Sequence, residues 1–152
     1  MGVFDPTKFL ESTTTDAGST ARNPVPAGEY KATIDDLELR TANTKNGERQ
    51  ILRVIWEIHD EGAKEATGLD KVTVRQDIWL DLTPAGNDLD YSKGKNIGLG
   101  RLREAVGQNN AGEAWNPGML KGAGPALLVV IERPDERSDV VYNDVKSVGQ
   151  LS

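Results

Sequence analysis

The stretch Gln50-Ile51-Leu52-Arg53-Val54-Ile55-Trp56-Glu57-Ile58-His59 alternates in character from one residue to the next. Leu52, Val54, Trp56 and Ile58 fall on one face, and Arg53, Ile55 and Glu57 on the other. A period of two is the signature of a half-buried strand, because a helix would spread the same residues around its circumference. The fold is therefore read outward from a β-strand with an apolar inner face and a mixed outer one.

On the N-terminal side, Tyr30, Ala32 and Ile34 alternate with Glu29, Lys31 and Thr33, which predicts a first strand over about Glu29 to Arg40. The phase slips at Asp35-Asp36 and resumes at Leu37 and Leu39, as a bulge or bend would require. Asn46-Gly47 marks the turn between the two strands. On the C-terminal side, residues Asp60 to Asp70 read as a polar loop. A third strand, Lys71 to Leu82, places Val72, Val74, Ile78, Leu80 and Leu82 inward and Thr73, Arg75, Asp77, Trp79 and Asp81 outward. Leu99, Leu102 and Val106 recur at helical spacing, so a helix is predicted over about Asn96 to Val106 with Gly107 as its stop. Gly98 and Gly100 weaken its first turns. Strands at Ala126 to Arg133 and Val140 to Val148 follow a connector rich in Gly, Asn and Pro.

Three strands, one helix and two strands is the element order of the OB-fold. The expected fold is thus mainly β: a five-stranded OB-fold barrel with one helix between the third and fourth strands. A bent first strand suits closure of a small barrel. An α+β sheet packed on one helix is the alternative.

Residues 1–23 read as a flexible tail, and residues 24–152 as the OB-fold domain. Asp5-Pro6 is positioned to cap and start a short helix whose Phe4, Phe9 and Leu10 would dock on the body. Ser12 to Asn23 offers little that could pack. The start of the chain has neither a basic segment nor an apolar one of the signal-peptide kind. The apolar run Ala126 to Ile131 is far too short to span a bilayer. With no cysteine in 152 residues, disulfides, thiolate nucleophiles and zinc–thiolate sites are excluded. A cytoplasmic protein is expected, with no membrane partner.

The net charge of −6 argues by itself against a nucleic-acid ligand. The signs are segregated, however. Arg40, Lys45, Arg49 and Arg53 form one basic block, and Lys93, Lys95, Arg101 and Arg103 a second; Asp77, Asp81, Asp88 and Asp90 lie between them. On an OB barrel, single strands bind across the second and third strands through bases stacked on aromatic rings and phosphates held by cations. The residues placed there are Trp79, Arg53, Arg75 and Ile55, with Lys45 and Arg49 beside the first loop, and Lys93 and Lys95 ahead of the helix. Against this stands an ordinary solvated surface in which Arg53 and Arg75 balance Glu57 and Asp77. Trp56 and Tyr30 read as core, Trp115 as a pin for the connector, and Tyr142 is open between core and surface.

Four stretches in order resemble small phage-encoded single-stranded-DNA-binding proteins: Pro26-Ala27-Gly28-Glu29-Tyr30, Leu52 to Ile58, Leu102-Arg103-Glu104-Ala105-Val106-Gly107, and Tyr142-Asn143-Asp144-Val145-Lys146. The resemblance implies an OB-fold and sequence-nonspecific binding and protection of single-stranded DNA in phage DNA replication or recombination. Expected partners are single-stranded DNA and phage or host replication and recombination proteins; a homo-oligomer is compatible with it. It carries over no catalytic residue and no cofactor. Many such proteins end in an acidic recruiting tail, whereas this sequence ends Ser147-Val148-Gly149-Gln150-Leu151-Ser152.

Two other functions compete. One is an OB-fold module that binds a partner protein and not DNA. The other is a metal-dependent nuclease, suggested by Pro134-Asp135 followed by Asp144-Val145-Lys146, in which two acids would hold a metal and a lysine would steady the phosphate. Catalysis through the only histidine, His59, has no second residue to support it. No enzyme activity is expected.

Overall fold

A computed structural model describes residues 3–15, 23–86, 88–138 and 140–151. Its centre is one antiparallel five-stranded sheet in the order β3-β2-β1-β4-β5, formed by β1 (Gly28–Thr44), β2 (Gly47–Ile58), β3 (Val72–Trp79), β4 (Ala126–Pro134) and β5 (Val141–Gln150). Among the described residues the helices are α1 (Pro6–Glu11), α2 (Glu61–Thr67) and α3 (Ile97–Ala105), with a short 3-10 turn at Pro117–Leu120.

β1 organises the sheet. Its first residues, Gly28 to Ala32, pair with β4, and Ala32 to Thr44 pair with β2. The register shifts between Ile34 and Asp36, so Asp35 is the extra residue where the alternation slips. A bulge bends a strand and increases its twist, which lets one strand serve both halves of the sheet. The connector is strapped to β1 at this bend: Ile34 N–H donates to Ala123 O at 2.9 Å, and Gly122 N–H to Ile34 O at 2.8 Å. Gly124 passes so close that a Cβ there would stand 3.1 Å from Ala32 O, at a φ of +120° that suits glycine. At the hairpin, Lys45 and Asn46 form the turn, and the left-handed step falls on Gly47 (φ +109°) rather than on Asn46.

The inward residues of the strands make the core. Ile34, Leu52, Val54, Trp56, Ile58, Val72, Val74 and Ile78 meet Leu128 and Val130 of β4, and Leu99, Leu102 and Ala105 of α3 close the cluster. Trp56 is fully buried and donates its indole N–H to Gln76 Oε1 at 3.0 Å. Gly98 brings α3 close to Ile78 of β3. Trp115 holds the connector to the end of α3, donating to Gln108 Oε1 at 2.9 Å beneath the Arg103 guanidinium, 4.0 Å from its ring centre. Tyr30 is half-buried against the core and donates to Pro26 O; burial, followed by the charges of Asp60 and Glu132, pushes its phenol above the usual range.

Several expectations are corrected. The segment after β2 is a helix and not only a polar loop: Asp60 accepts the Ala63 N–H at 2.8 Å as N-cap, and Gly68 ends α2 in the left-handed region at φ +73°. β3 stops at Trp79 and does not reach Leu82. Leu80 N–H still bonds Gln50 O, but Leu82 turns to form an isolated bridge with Leu89. α1 forms with Asp5 as cap and Pro6 in its first turn, yet it does not dock, since every described residue from Val3 to Thr15 is exposed. The body begins at Val25, buried and held by Asn143 through two hydrogen bonds of 2.8 Å. Most of the proposed linker, residues 16–22, lies outside the described residues, as does Asp139 of the acidic loop.

Along its hydrogen-bonded ladders the sheet remains open. β3 and β5 are its two edges; they approach each other, and α3 packs against both. A cleft of about 620 Å³ separates Arg53, Arg75, Gln76 and Asp77 from Arg133, Tyr142 and Asp144. Among the described residues, no helix is long and apolar enough to cross a membrane.

Candidate nucleic-acid interface

The outer faces of β2 and β3 meet in four rungs: Ile51 opposite Trp79, Arg53 opposite Asp77, Ile55 opposite Arg75, and Glu57 opposite Thr73. This is the phase read from the alternation, and it puts Trp79, Arg53, Arg75 and Ile55 on one surface. Trp79 is 44% exposed. Arg75 is exposed, while Arg53 and Ile55 are half-buried among their neighbours.

The Arg53–Asp77 rung is electrostatically closed. Arg53 donates to both carboxylate oxygens of Asp77, and Arg40 lies 3.9 Å from the same carboxylate. The bond from Arg53 comes first among the causes that hold the Asp77 carboxyl below its ordinary range, and the charges of Arg53, Arg40 and Arg75 add to it. That bond also raises the Arg53 guanidinium. Arg53 therefore balances Asp77, as the solvated-surface reading has it; Arg75 has no direct ion pair among the described residues.

At the end of β3 the two basic blocks meet. Arg49 stacks over Trp79 with its guanidinium carbon 5.0 Å from the ring centre, and it binds Asp81 Oδ1 at 3.2 Å. Asp81 Oδ2 accepts the Asn96 N–H at 2.9 Å. Asn96 is buried at a φ of +52°; its side chain accepts from Asp81 N–H at 2.8 Å and donates to Asp81 O at 2.7 Å and Asp90 O at 3.0 Å. This clamp fixes both ends of the loop after β3. It brings Lys95 into one depression with Arg49, Leu80 and Asp81. Lys93 is exposed in the same turn but does not line the depression, and Lys45 stands at the tip of the β1–β2 hairpin. Lys45, Lys93 and Lys95 carry no direct ion pair among the described residues.

The sequence assigned no role to Arg133 and left Tyr142 open. Both line the cleft across from Arg75; Tyr142 is 52% exposed, and Arg133 binds Asp144 at 2.8 Å. They are partners in the β4–β5 ladder, a relation that requires knowing the register. The acids of the nuclease-like pattern have separate tasks. Asp135 accepts the Arg137 N–H in the β4–β5 turn, and Asp144 holds Arg133. No group of three or more His, Cys, Asp or Glu side chains converges as a metal site among the described residues. His59 shares a 2.8 Å hydrogen bond with Thr33 and lies 3.8 Å from Glu57.

Compared with known proteins, the chain matches no family model and no curated protein.

Proposed function

We propose that this chain is an OB-type barrel that binds single-stranded DNA without sequence preference and protects it during phage DNA replication or recombination in the host cytoplasm. The barrel reading is supported by the strand order, by the bulged β1 shared between two halves of the sheet, and by α3 packed between β3 and β4 in the chain and against both sheet edges in space. The function rests above all on one observation: an exposed Trp79 on the outer face where Arg49 and Lys95 of the two basic blocks converge. A flat ring beside cations suits a ligand made of bases and phosphates, and such stacking is indifferent to sequence. Arg75, Ile55 and the exposed Tyr142 extend the surface along the cleft, with Arg133 beside them.

A second reading, a barrel that binds a partner protein, draws on the acids. Arg53, Arg49 and Arg133 are each held by an aspartate, so much of the positive charge is already neutralised.

Fluorescence anisotropy of a labelled oligo-dT, titrated at low and moderate salt with duplex competitor, separates the two. Binding that weakens steeply with salt and resists duplex supports the single-strand function. No binding at low salt refutes it and leaves the protein-interaction barrel.

A further inference from the structure

β1 is longer than the strands that cover it. Gly28 to Ala32 pair with β4 and Ala32 to Thr44 with β2, so beyond the bulge at Asp35 the strand has β2 on one side and no strand on the other. The hairpin fixes which backbone groups face that open side. Thr44 and Gly47 close a two-residue loop as a hydrogen-bonded pair. Along the antiparallel ladder Ala42, Arg40 and Glu38 then also bond to β2, while Leu39, Thr41 and Asn43 turn their amides and carbonyls outward. Gln50, the partner of Thr41, agrees with this phase, since its carbonyl accepts the Leu80 N–H on the far side of β2. Among the described residues the outward backbone groups of Leu39 and Thr41 meet no backbone partner. Leu39 is 72% exposed at the lip of a leucine-lined groove of about 500 Å³. On the opposite face of β1, Glu38 and Arg40 are exposed, and Glu38 has no direct ion pair among the described residues.

We propose that two copies of this chain join β1 to β1, antiparallel, about a two-fold axis at Leu39. An open edge accepts another strand through its backbone, and the charges beside Leu39 select a second copy as that strand. In this register Leu39 exchanges both backbone bonds with its counterpart, Leu37 stands opposite Thr41, and Glu38 stands opposite Arg40 on both sides of the axis. The neighbouring registers are poorer. Centring on Glu38 or on Arg40 sets like charges face to face, and centring on Leu37 opposes Asp36 to Glu38. Centring on Thr41 leaves Glu38 and Arg40 opposite the uncharged Thr44 and Ala42. The order Glu38-Leu39-Arg40 is thus self-complementary under the symmetry that pairs a strand with its own copy. The same contact sets the two exposed Leu39 side chains against each other on the groove face. It does not rest on the single-strand reading.

Charge reversal tests the register, with sedimentation equilibrium as the readout and no DNA present. The wild type should dimerise. Glu38→Arg and Arg40→Glu should each weaken the dimer about tenfold or more, because either change sets like charges opposite each other twice. The double variant Glu38→Arg/Arg40→Glu should restore it, and so should mixing the two single variants, whose pairs are again opposite in sign. Both side chains are exposed, and circular dichroism checks that the fold persists. A second measurement uses the absence of cysteine in the full chain. Leu39→Cys should give a disulfide-linked pair on mild oxidation, since Cα atoms about 5.5 Å apart in a hydrogen-bonded pair suit a disulfide. Asn43→Cys, on the same open edge but far from its counterpart, should link much more slowly. A monomer at every concentration, a dimer indifferent to the charge reversals, or equal linking at 39 and 43 would each overturn the proposal. Failure to bind oligo-dT would sink the single-strand reading and leave this result standing.

Discussion

Arg53 and Asp77 stand directly opposite each other on β2 and β3, and the guanidinium meets both carboxylate oxygens, Nε to Oδ1 at 2.9 Å and Nη2 to Oδ2 at 3.3 Å. A phosphate that approaches this rung must displace an aspartate already in place. Asp77→Asn should therefore strengthen single-strand binding by freeing Arg53 and relieving Arg40. The plot of log affinity against log salt should steepen by about 0.7 per cation released to the ligand. Anisotropy titrations at several salt concentrations measure both. Unchanged affinity and slope would place the DNA path away from Arg53.

The same pair sets an acid dependence of stability. Asp77 is held below its ordinary range in the folded chain, chiefly by the bond from Arg53. Its contribution is fully present above the unfolded value, about 3.9, and is lost as pH falls through the lower folded value. The Asp77 side chain is 38% exposed, so screening keeps the effect small. Urea midpoints of the wild type and Asp77→Asn should differ near neutral pH, with the wild type higher, and converge in strong acid. A gap that stays constant down to pH 2 would remove this ionisation as its cause.

Trp79 is the proposed stacking platform. Trp79→Ala should cost about 1–3 kcal/mol of oligo-dT binding, and Trp79→Phe should retain most of it. The fold should persist in both, because the ring lies on the outer face. An affinity unchanged by Trp79→Ala would leave the ring as no more than a platform for Arg49.

Asn96 joins the end of β3 to the start of α3. Asn96→Ala removes three side-chain hydrogen bonds and asks alanine to hold a φ of +52°. A loss of about 2–4 kcal/mol is expected, and Asn96→Gly should be milder by about 1 kcal/mol because only the backbone term is spared. Urea unfolding reads both. Oligo-dT binding by the folded variants should also weaken, since this clamp positions Lys95 beside Arg49.

The alternation over Gln50 to His59 carried enough information to phase β2 and put Trp56 in the core, and that over Lys71 to Leu82 to phase β3 and put Trp79 on the outer face. The slip at Asp35-Asp36 was legible as a bulge for the same reason: a period of two exposes any inserted residue. α2 was obscured because its only apolar side chains are the small Ala63 and Ala66 and Gly62 lies within its first turn, although Asp60 and Gly68 marked its two ends. The end of β3 was misplaced because Leu80 and Leu82 continue the alternation after the ladder has stopped. Cross-strand partners were the least legible. Whether Arg53 faces Asp77, or Tyr142 faces Arg133, depends on register, which composition does not encode. The sequence therefore named the cations without showing which of them were already neutralised.

The open seam between β3 and β5 has a consequence for solubility. An edge strand with unpaired amides invites another chain to add to the sheet and begin an aggregate. β3 is short, and its outward row carries Arg75 and Asp77; across the cleft, Asp144 of β5 is paired with Arg133 of β4. Charges at sheet edges make uninvited pairing costly, so these side chains guard the edges as well as the face. Replacing them with apolar residues to simplify the surface would remove that protection and favour association through the exposed strands.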